Sequence, residues 1–217
     1  MDGTNTLIVN EIFQSIQGES SHAGRRCVFV RLTHCNLRCS YCDTAYAFDE
    51  GMEMSLDEIL SKVQQYNCTL VEITGGEPLL QSGVYELMSM LCDQQFEVLL
   101  ETGGSIDVSL VRPEVKKIVD FKCPSSGMEK SNLWENVFYL HPTDEAKFVI
   151  GDREDYDWAK SKMNQHYLAT RCPVLMSVVF GKLEPRHLAE WILDDKLDVR
   201  FQLQMQKIIW NSETRGV

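Results

Sequence analysis

The chain has 217 residues, 44% of them hydrophobic and 24% charged, and its 32 acidic side chains against 21 basic ones give a formal net charge of -11. That size and composition fit a single core domain spanning residues 1–217, and the acidic surplus, with Lys and Arg scattered along the chain, disfavours nucleic acid and anionic membranes as partners. No apolar run reaches the roughly 18 residues that cross a bilayer, and Met1-Asp2-Gly3-Thr4-Asn5 lacks the segments of a secretory leader, so a cytoplasmic location is expected, where clustered cysteines bind metal before they form disulfides.

Short apolar runs alternate with longer amphipathic stretches, the pattern of repeated β-α units around a largely parallel sheet. Strands are predicted over residues 6–13 and 26–32. The second carries a guanidinium in an otherwise apolar run, Cys27-Val28-Phe29-Val30-Arg31-Leu32, where an unpaired charge is costly. An anion must meet Arg31, either an internal carboxylate or a bound one. Next comes C-x-x-x-C-x-x-C, formed by Cys35, Cys39 and Cys42. Three thiolates are one short of the set that holds an iron-sulfur cube, which leaves one iron open to chelate a small molecule. On a helix the three would share one face, but Asn36, Ser40 and Asp43-Thr44 are poor helix formers and no apolar stripe continues on either side. Structural zinc takes four ligands, and no second CxxC or Cys-His pair stands nearby. The other cysteines lie singly among apolar residues and read as small buried hydrophobes. Thr44 offers a hard oxygen of the kind magnesium prefers, or with Asp43 caps a following turn.

A helix over 55–66 opens with Ser55-Leu56-Asp57-Glu58, a capping-box pattern, and lines up Leu56, Ile59, Leu60 and Val63 on one face. Strand 70–74 runs into Gly75-Gly76-Glu77-Pro78, a turn whose glycines also permit close approach of backbone to a ligand. A helix over 84–94 precedes strand 97–101, which ends at Thr102-Gly103-Gly104, and strand 117–121 carries Asp120, with Lys122 just beyond. Residues 124–145 read as loop with room for a short helix. Strand 146–150, helix 153–167, strand 173–179, helix 185–194 with Pro185 in its first turn, and strand 199–203 complete the chain. The distinctive residues fall at strand carboxyl ends, where barrels and open α/β sheets place their sites. Since a closed eight-fold barrel takes about 250 residues, the fold expected is α/β, an incomplete TIM-type (β/α) barrel. No serine elbow, P-loop, G-x-G-x-x-G or H-E-x-x-H occurs.

Cys35-Asn36-Leu37-Arg38-Cys39-Ser40-Tyr41-Cys42 resembles the signature of the radical S-adenosylmethionine (SAM) superfamily, and Gly75-Gly76-Glu77-Pro78 resembles its second element. The resemblance implies a [4Fe-4S] cluster on Cys35, Cys39 and Cys42 whose open iron is chelated by SAM, and reductive cleavage of SAM to a 5'-deoxyadenosyl radical. A narrower resemblance runs through Phe13-Gln14-Ser15-Ile16-Gln17-Gly18-Glu19, Phe29-Val30-Arg31-Leu32, Cys42-Asp43-Thr44, Ile73 to Gln81 and Glu101-Thr102-Gly103-Gly104, and is to the 7-carboxy-7-deazaguanine synthases. It implies conversion of 6-carboxy-5,6,7,8-tetrahydropterin to 7-carboxy-7-deazaguanine with loss of ammonia, in queuosine and other 7-deazapurine biosynthesis. It also implies a homodimer, Mg2+ as a further cofactor, and an electron donor such as flavodoxin or ferredoxin. By the same resemblance Ile16, Gln17, Gly18, Arg31 and Thr74 bind the pterin, with Arg31 on its carboxylate. Tyr41, Cys42, Asp43, Gly76, Glu77, Asp120, Phe121, Lys122 and Ser177 bind SAM, with Tyr41 against the adenine, and Thr44 ligates Mg2+. The substrate is then a free small molecule.

Two positions depart from the family pattern. Gln206, in Gln204-Met205-Gln206-Lys207, stands where the family often has histidine, and keeps hydrogen bonding without the ability to carry a proton. His34 stands where many relatives have glycine. Two alternatives share the cysteines: a radical SAM activating enzyme acting on a protein glycyl site, and a noncatalytic zinc or interaction module. Ile16-Gln17-Gly18, Arg31 and Thr44 suit a small anionic pterin and have no evident purpose in the first, and zinc without labile sulfide would identify the second.

Overall fold

In the computed structural model the described residues, 5–210 and 214–217, are built around one nine-stranded sheet. Met1 to Thr4, read above for leader features, lie outside the described residues. The strands are β1 (Thr6–Ile16), β2 (Arg26–Leu32), β3 (Met52–Ser55), β4 (Leu70–Gly75), β5 (Glu97–Thr102), β6 (Lys116–Asp120), β7 (Glu145–Ile150), β8 (Val174–Val178) and β9 (Arg200–Phe201). Their order across the sheet is β3-β1-β2-β4-β5-β6-β7-β8-β9. From β2 to β9 every pairing is parallel, and β3 and β9 remain at opposite edges, so the barrel is incomplete.

The helices α1 (Leu56–Gln65), α2 (Val84–Asp93), α3 (Arg153–His166) and α4 (Pro185–Asp194) follow β3, β4, β7 and β8. The capping box at Ser55 is complete: Ser55 Oγ accepts from Glu58 N, and the Glu58 carboxylate accepts from Ser55 N. Leu56, Ile59 and Val63 are the buried face of α1, with Leu60 half-buried beside them. Alternation along the strands then divides the side chains. Val71 and Ile73, Ala146 and Phe148, and Val174 and Met176 join the hydrophobic core, while Glu72, Thr74, Lys147 and Ser177, at alternate positions, are buried polar groups.

Several predicted elements are corrected. β1 extends through Ile16 and runs antiparallel to β2, pairing Ile16 with Arg26, so its end lies opposite the cysteine loop, which follows Leu32. The edge strand β3 was not foreseen, because its four residues, Met52 to Ser55, are too few to show alternation. The last strand shrinks to Arg200–Phe201, and a short helix, α5 (Met205–Ile209), follows it. Residues 124–145 hold three 3-10 turns, Pro124–Ser126, Glu129–Ser131 and Trp134–Tyr139. Among the described residues no helix is long and apolar enough to cross a membrane.

Candidate active site

The cysteine loop leaves β2 at Leu32 and is braced from several directions. Arg38 Nη1 donates to the carbonyls of Cys35 and Leu37, both at 2.7 Å, with its guanidinium 4.2 Å from the Phe48 ring centroid. Cys42 N donates to Cys39 O at 3.2 Å. Ser40 donates to the 3-10 turn beyond β6, through N to Ser126 O at 3.0 Å and through Oγ to Ser125 O at 2.7 Å. The unreadable stretch after Pro124 is thus the platform on which the loop rests. Cys35, Cys39 and Cys42 are partly exposed; of the other cysteines Cys27, Cys68, Cys123 and Cys172 are buried as expected of small hydrophobes, whereas Cys92 is only half-buried. Burial pushes the Cys35 and Cys39 thiols up; Cys42 adds to this in both, and Lys122 opposes it.

The two glycines after β4 are required by that loop. A Cβ on Gly76 would stand 2.1 Å from His34 O and 2.9 Å from Cys35 Cβ, and one on Gly75, at φ +143°, would stand 2.1 Å from Leu32 O. Glu77 is fully buried and committed to the chain: it accepts from Leu79 N at 3.1 Å, from Thr102 Oγ1 at 2.8 Å and from Gly103 N at 2.8 Å. It welds the turn after β4 to the turn after β5, which places its carboxylate behind the loop. Burial raises its pKa, and the donors from Leu79, Thr102 and Gly103 oppose the rise.

The remaining predicted SAM residues divide by orientation. Asp120 pairs through Oδ2 with Lys122 Nζ at 2.8 Å, while among the described residues its buried Oδ1 has no hydrogen-bond partner, nor has the fully buried Ser177 Oγ. Buried polar atoms without partners are costly, so both retain unused hydrogen-bonding capacity. The Phe121 ring is not brought to them; it stacks on Trp134 at 4.8 Å and Phe148 at 5.9 Å in the core. Tyr41 reaches Val149 O at 3.5 Å, and Asp43 Oδ1 accepts from Thr44 Oγ1 at 2.8 Å. Thr44 precedes a 3-10 turn, Ala45–Phe48, without a side-chain cap hydrogen bond.

Arg31 lies level with Thr74 in the parallel pairing of β2 and β4. Its internal carboxylate is Glu11 across β1: Arg31 Nε donates to Glu11 Oε1 at 2.8 Å, and Tyr46 OH donates to the same oxygen at 3.0 Å. Among the described residues the guanidinium makes no other hydrogen bond, so its terminal nitrogens remain available. Ile16 ends β1, and the loop from Gln17 turns into the barrel interior. Gln17 is buried and donates through Nε2 to Glu72 Oε2. Gly18 lies against α5: a Cβ there would collide with Gln206 Oε1 and stand 3.0 Å from Gln206 N.

The interior floor beneath this loop was missed at the level of sequence. Lys147 Nζ lies 2.6 Å from Glu19 Oε2 and 2.7 Å from Glu101 Oε1. Glu19 Oε1 also accepts from Gln204 Nε2 at 3.0 Å and Gln206 Nε2 at 2.9 Å. Burial alone would raise the Glu19 pKa, but Lys147 and these amides hold it below its ordinary value. The signal was present: Glu72 and Lys147 interrupt apolar strands just as Arg31 does.

The radical SAM superfamily profile matches residues 30–123. The 7-carboxy-7-deazaguanine synthase of Chlorobaculum tepidum is 50% identical over 214 residues, 97% of this chain and 97% of its own length. The chain belongs to the 7-carboxy-7-deazaguanine synthase family. The synthase of Koribacter versatilis is 46% identical over 96% of this chain and 99% of its own. In fold, the chain matches a crystal structure of QueE from Escherichia coli with a TM-score of 0.78, covering 93% of this chain and 95% of that one at 22% identity. Membership in this radical SAM family implies a [4Fe-4S] cluster and SAM and sets aside the glycyl-activating and zinc-module alternatives. The donor set fits: Cys35, Cys39 and Cys42 supply three partly exposed thiols from one loop.

Proposed function

We propose that the protein converts 6-carboxy-5,6,7,8-tetrahydropterin to 7-carboxy-7-deazaguanine with release of ammonia, as a Mg2+-dependent carbon-nitrogen lyase supplying 7-deazapurine biosynthesis, queuosine included. The observation that carries this reading is Arg31, a half-buried guanidinium held to Glu11 through Nε only, level with Thr74 on the interior wall. Its free fork suits a bidentate grip on a substrate carboxylate. Ile16, Gln17 and Gly18 present backbone and amide groups to the edge of a flat heterocycle, and Thr74 supplies a hydroxyl from the adjacent strand.

The cluster with SAM, when bound, supplies hydrogen-atom abstraction from the substrate. This chain's residues bind and orient around that chemistry: Cys35, Cys39 and Cys42 hold the iron, and Gly76, Tyr41, Cys42, Asp43, Asp120, Lys122 and Ser177 border the SAM site. For Glu77 and Phe121 the contribution assigned is through backbone and packing, since their side chains are turned into the protein. Thr44 holds Mg2+ by its hydroxyl, a hard oxygen beside the cluster. The reading includes a homodimer and an external one-electron donor such as flavodoxin or ferredoxin.

The test is anaerobic, reduced, cluster-replete protein incubated with SAM, Mg2+ and carboxytetrahydropterin. Formation of 7-carboxy-7-deazaguanine and one equivalent of ammonia is expected, and Cys35→Ala abolishes both. A preparation that cleaves SAM yet leaves the pterin unchanged would refute the substrate.

A further inference from the structure

α5 touches two parts of the site at once. Its first residue donates from Met205 N to Gly18 O at 3.1 Å, and Gln206 Nε2 donates to Glu19 at 2.9 Å, which anchors the helix to the loop after β1. From that anchored turn Lys207 extends to the cysteine loop. Its Nζ lies 2.5 Å from Asp43 Oδ2 and 5.6 Å from the Phe180 ring centroid, and the side chain is only 12% exposed. The ammonium is thus enclosed on the lysine side, between a carboxylate and an aromatic face, while the Asp43 side chain remains 47% exposed.

We propose that Lys207 is a positioning residue for the divalent cation, acting through Asp43 on the hydroxyl of Thr44. The inference rests on the reading of Thr44 as the Mg2+ ligand. The ion pair fixes one oxygen of Asp43, and the other accepts the Thr44 hydroxyl hydrogen at 2.8 Å. A carboxylate paired in this way only accepts, so Thr44 spends its single hydrogen on Asp43 and turns its lone pairs outward. The hydroxyl serves no helix cap that would compete for it. A hard cation therefore meets an oxygen already oriented as a donor, and the partners that orient a metal ligand commonly govern affinity by 10- to 100-fold. Without Lys207, Asp43 is free to turn to other donors and Thr44 loses its fixed hydrogen-bond partner.

The test uses anaerobic, cluster-replete protein with SAM and carboxytetrahydropterin, titrated with Mn2+ and followed by the EPR signal of free Mn2+. Lys207→Met is expected to raise the half-saturating Mn2+ concentration about tenfold, by the usual weight of such partners. Lys207→Arg, which keeps the charge, restores most of the affinity, and iron, labile sulfide and SAM affinity stay at wild-type levels in both. Equal Mn2+ binding by Lys207→Met and wild type overturns the inference while leaving Thr44 in place. Loss of iron or of SAM binding in Lys207→Met also overturns it, assigning the ion pair to folding of the cysteine loop. A wild-type protein whose Mn2+ binding is unmoved by Thr44→Ala removes Thr44 as the ligand, and this inference falls with it.

Discussion

His34 adopts a left-handed backbone, φ 74°, at the point where β2 gives way to the cysteine loop, and its carbonyl lies against Gly76 and accepts from Glu77 N at 2.7 Å. Glycine would suit this position: a side chain in that region costs roughly 1–2 kcal/mol, least for residues such as His and Asn. His34→Gly should leave the thermal midpoint level or raise it, whereas the β-branched His34→Val should lower stability by roughly 1–2 kcal/mol, both read by thermal unfolding of anaerobic protein. Arg31 gives the complementary functional prediction. Hydrogen bonds to charged groups contribute about 1.5–3 kcal/mol, so Arg31→Ala should raise the pterin KM by roughly 10- to 100-fold. SAM affinity should hold, and Arg31→Lys, which keeps the charge and loses the fork, should fall between. A pterin KM unchanged in Arg31→Ala would take Arg31 out of the substrate site.

At the scale of elements, α1 tests how local sequence contributes independently of the site. Its Ser55-Glu58 box satisfies two otherwise unpaired backbone donors, and Ser55→Ala should cost about 1 kcal/mol in unfolding with kcat and KM unchanged. Elements of this kind were legible because the signals are local: a cap, a helical stripe, a β-branched run. The parallel strands from β2 to β8 and all four long helices were readable in that way, to within a residue or two at their ends. What was not readable depends on partners distant in sequence. β3 is a strand because Leu7 and Ile8 lie opposite Met54 and Glu53, and α5 is held by Gly18 and Asp43. The cysteines, Arg31 and Thr44 could be singled out from residue chemistry, but the inward turn of Gln17-Gly18-Glu19 could not, since it follows from β1 running antiparallel to β2.

Across the whole molecule, the barrel interior gathers Glu19, Glu72 and Glu101 around the single ammonium of Lys147, groups contributed by a loop and three different strands. One lysine cannot balance three carboxylates in a buried space, and the imbalance falls on Glu72, which is 2% exposed. Burial first, then the charges of Glu101 and Glu19, push its pKa well above the ordinary carboxylate range, while Lys147 opposes them. The consequence for stability has a definite sign. In the unfolded chain Glu72 releases its proton near the ordinary value of about 4.3, whereas the folded protein keeps it to higher pH. The folded state therefore holds the extra proton, and this contribution to stability is full below the unfolded value and is lost as pH rises toward the folded one, at up to about 1.4 kcal/mol per pH unit. Glu72→Gln cannot titrate, and its amide oxygen can still accept from Gln17. The difference in thermal midpoint between wild type and Glu72→Gln should therefore shift in favour of the variant as pH rises from about 5, just above the unfolded value, to about 8. A difference that stays flat over that interval would mean Glu72 is ionised in the fold, with Lys147 shared among three carboxylates instead of two. Because Gln17 donates to Glu72, ionisation strengthens that one hydrogen bond, so the loss of stability comes from burying the extra charge beside Glu101 and Glu19 and not from release of the loop.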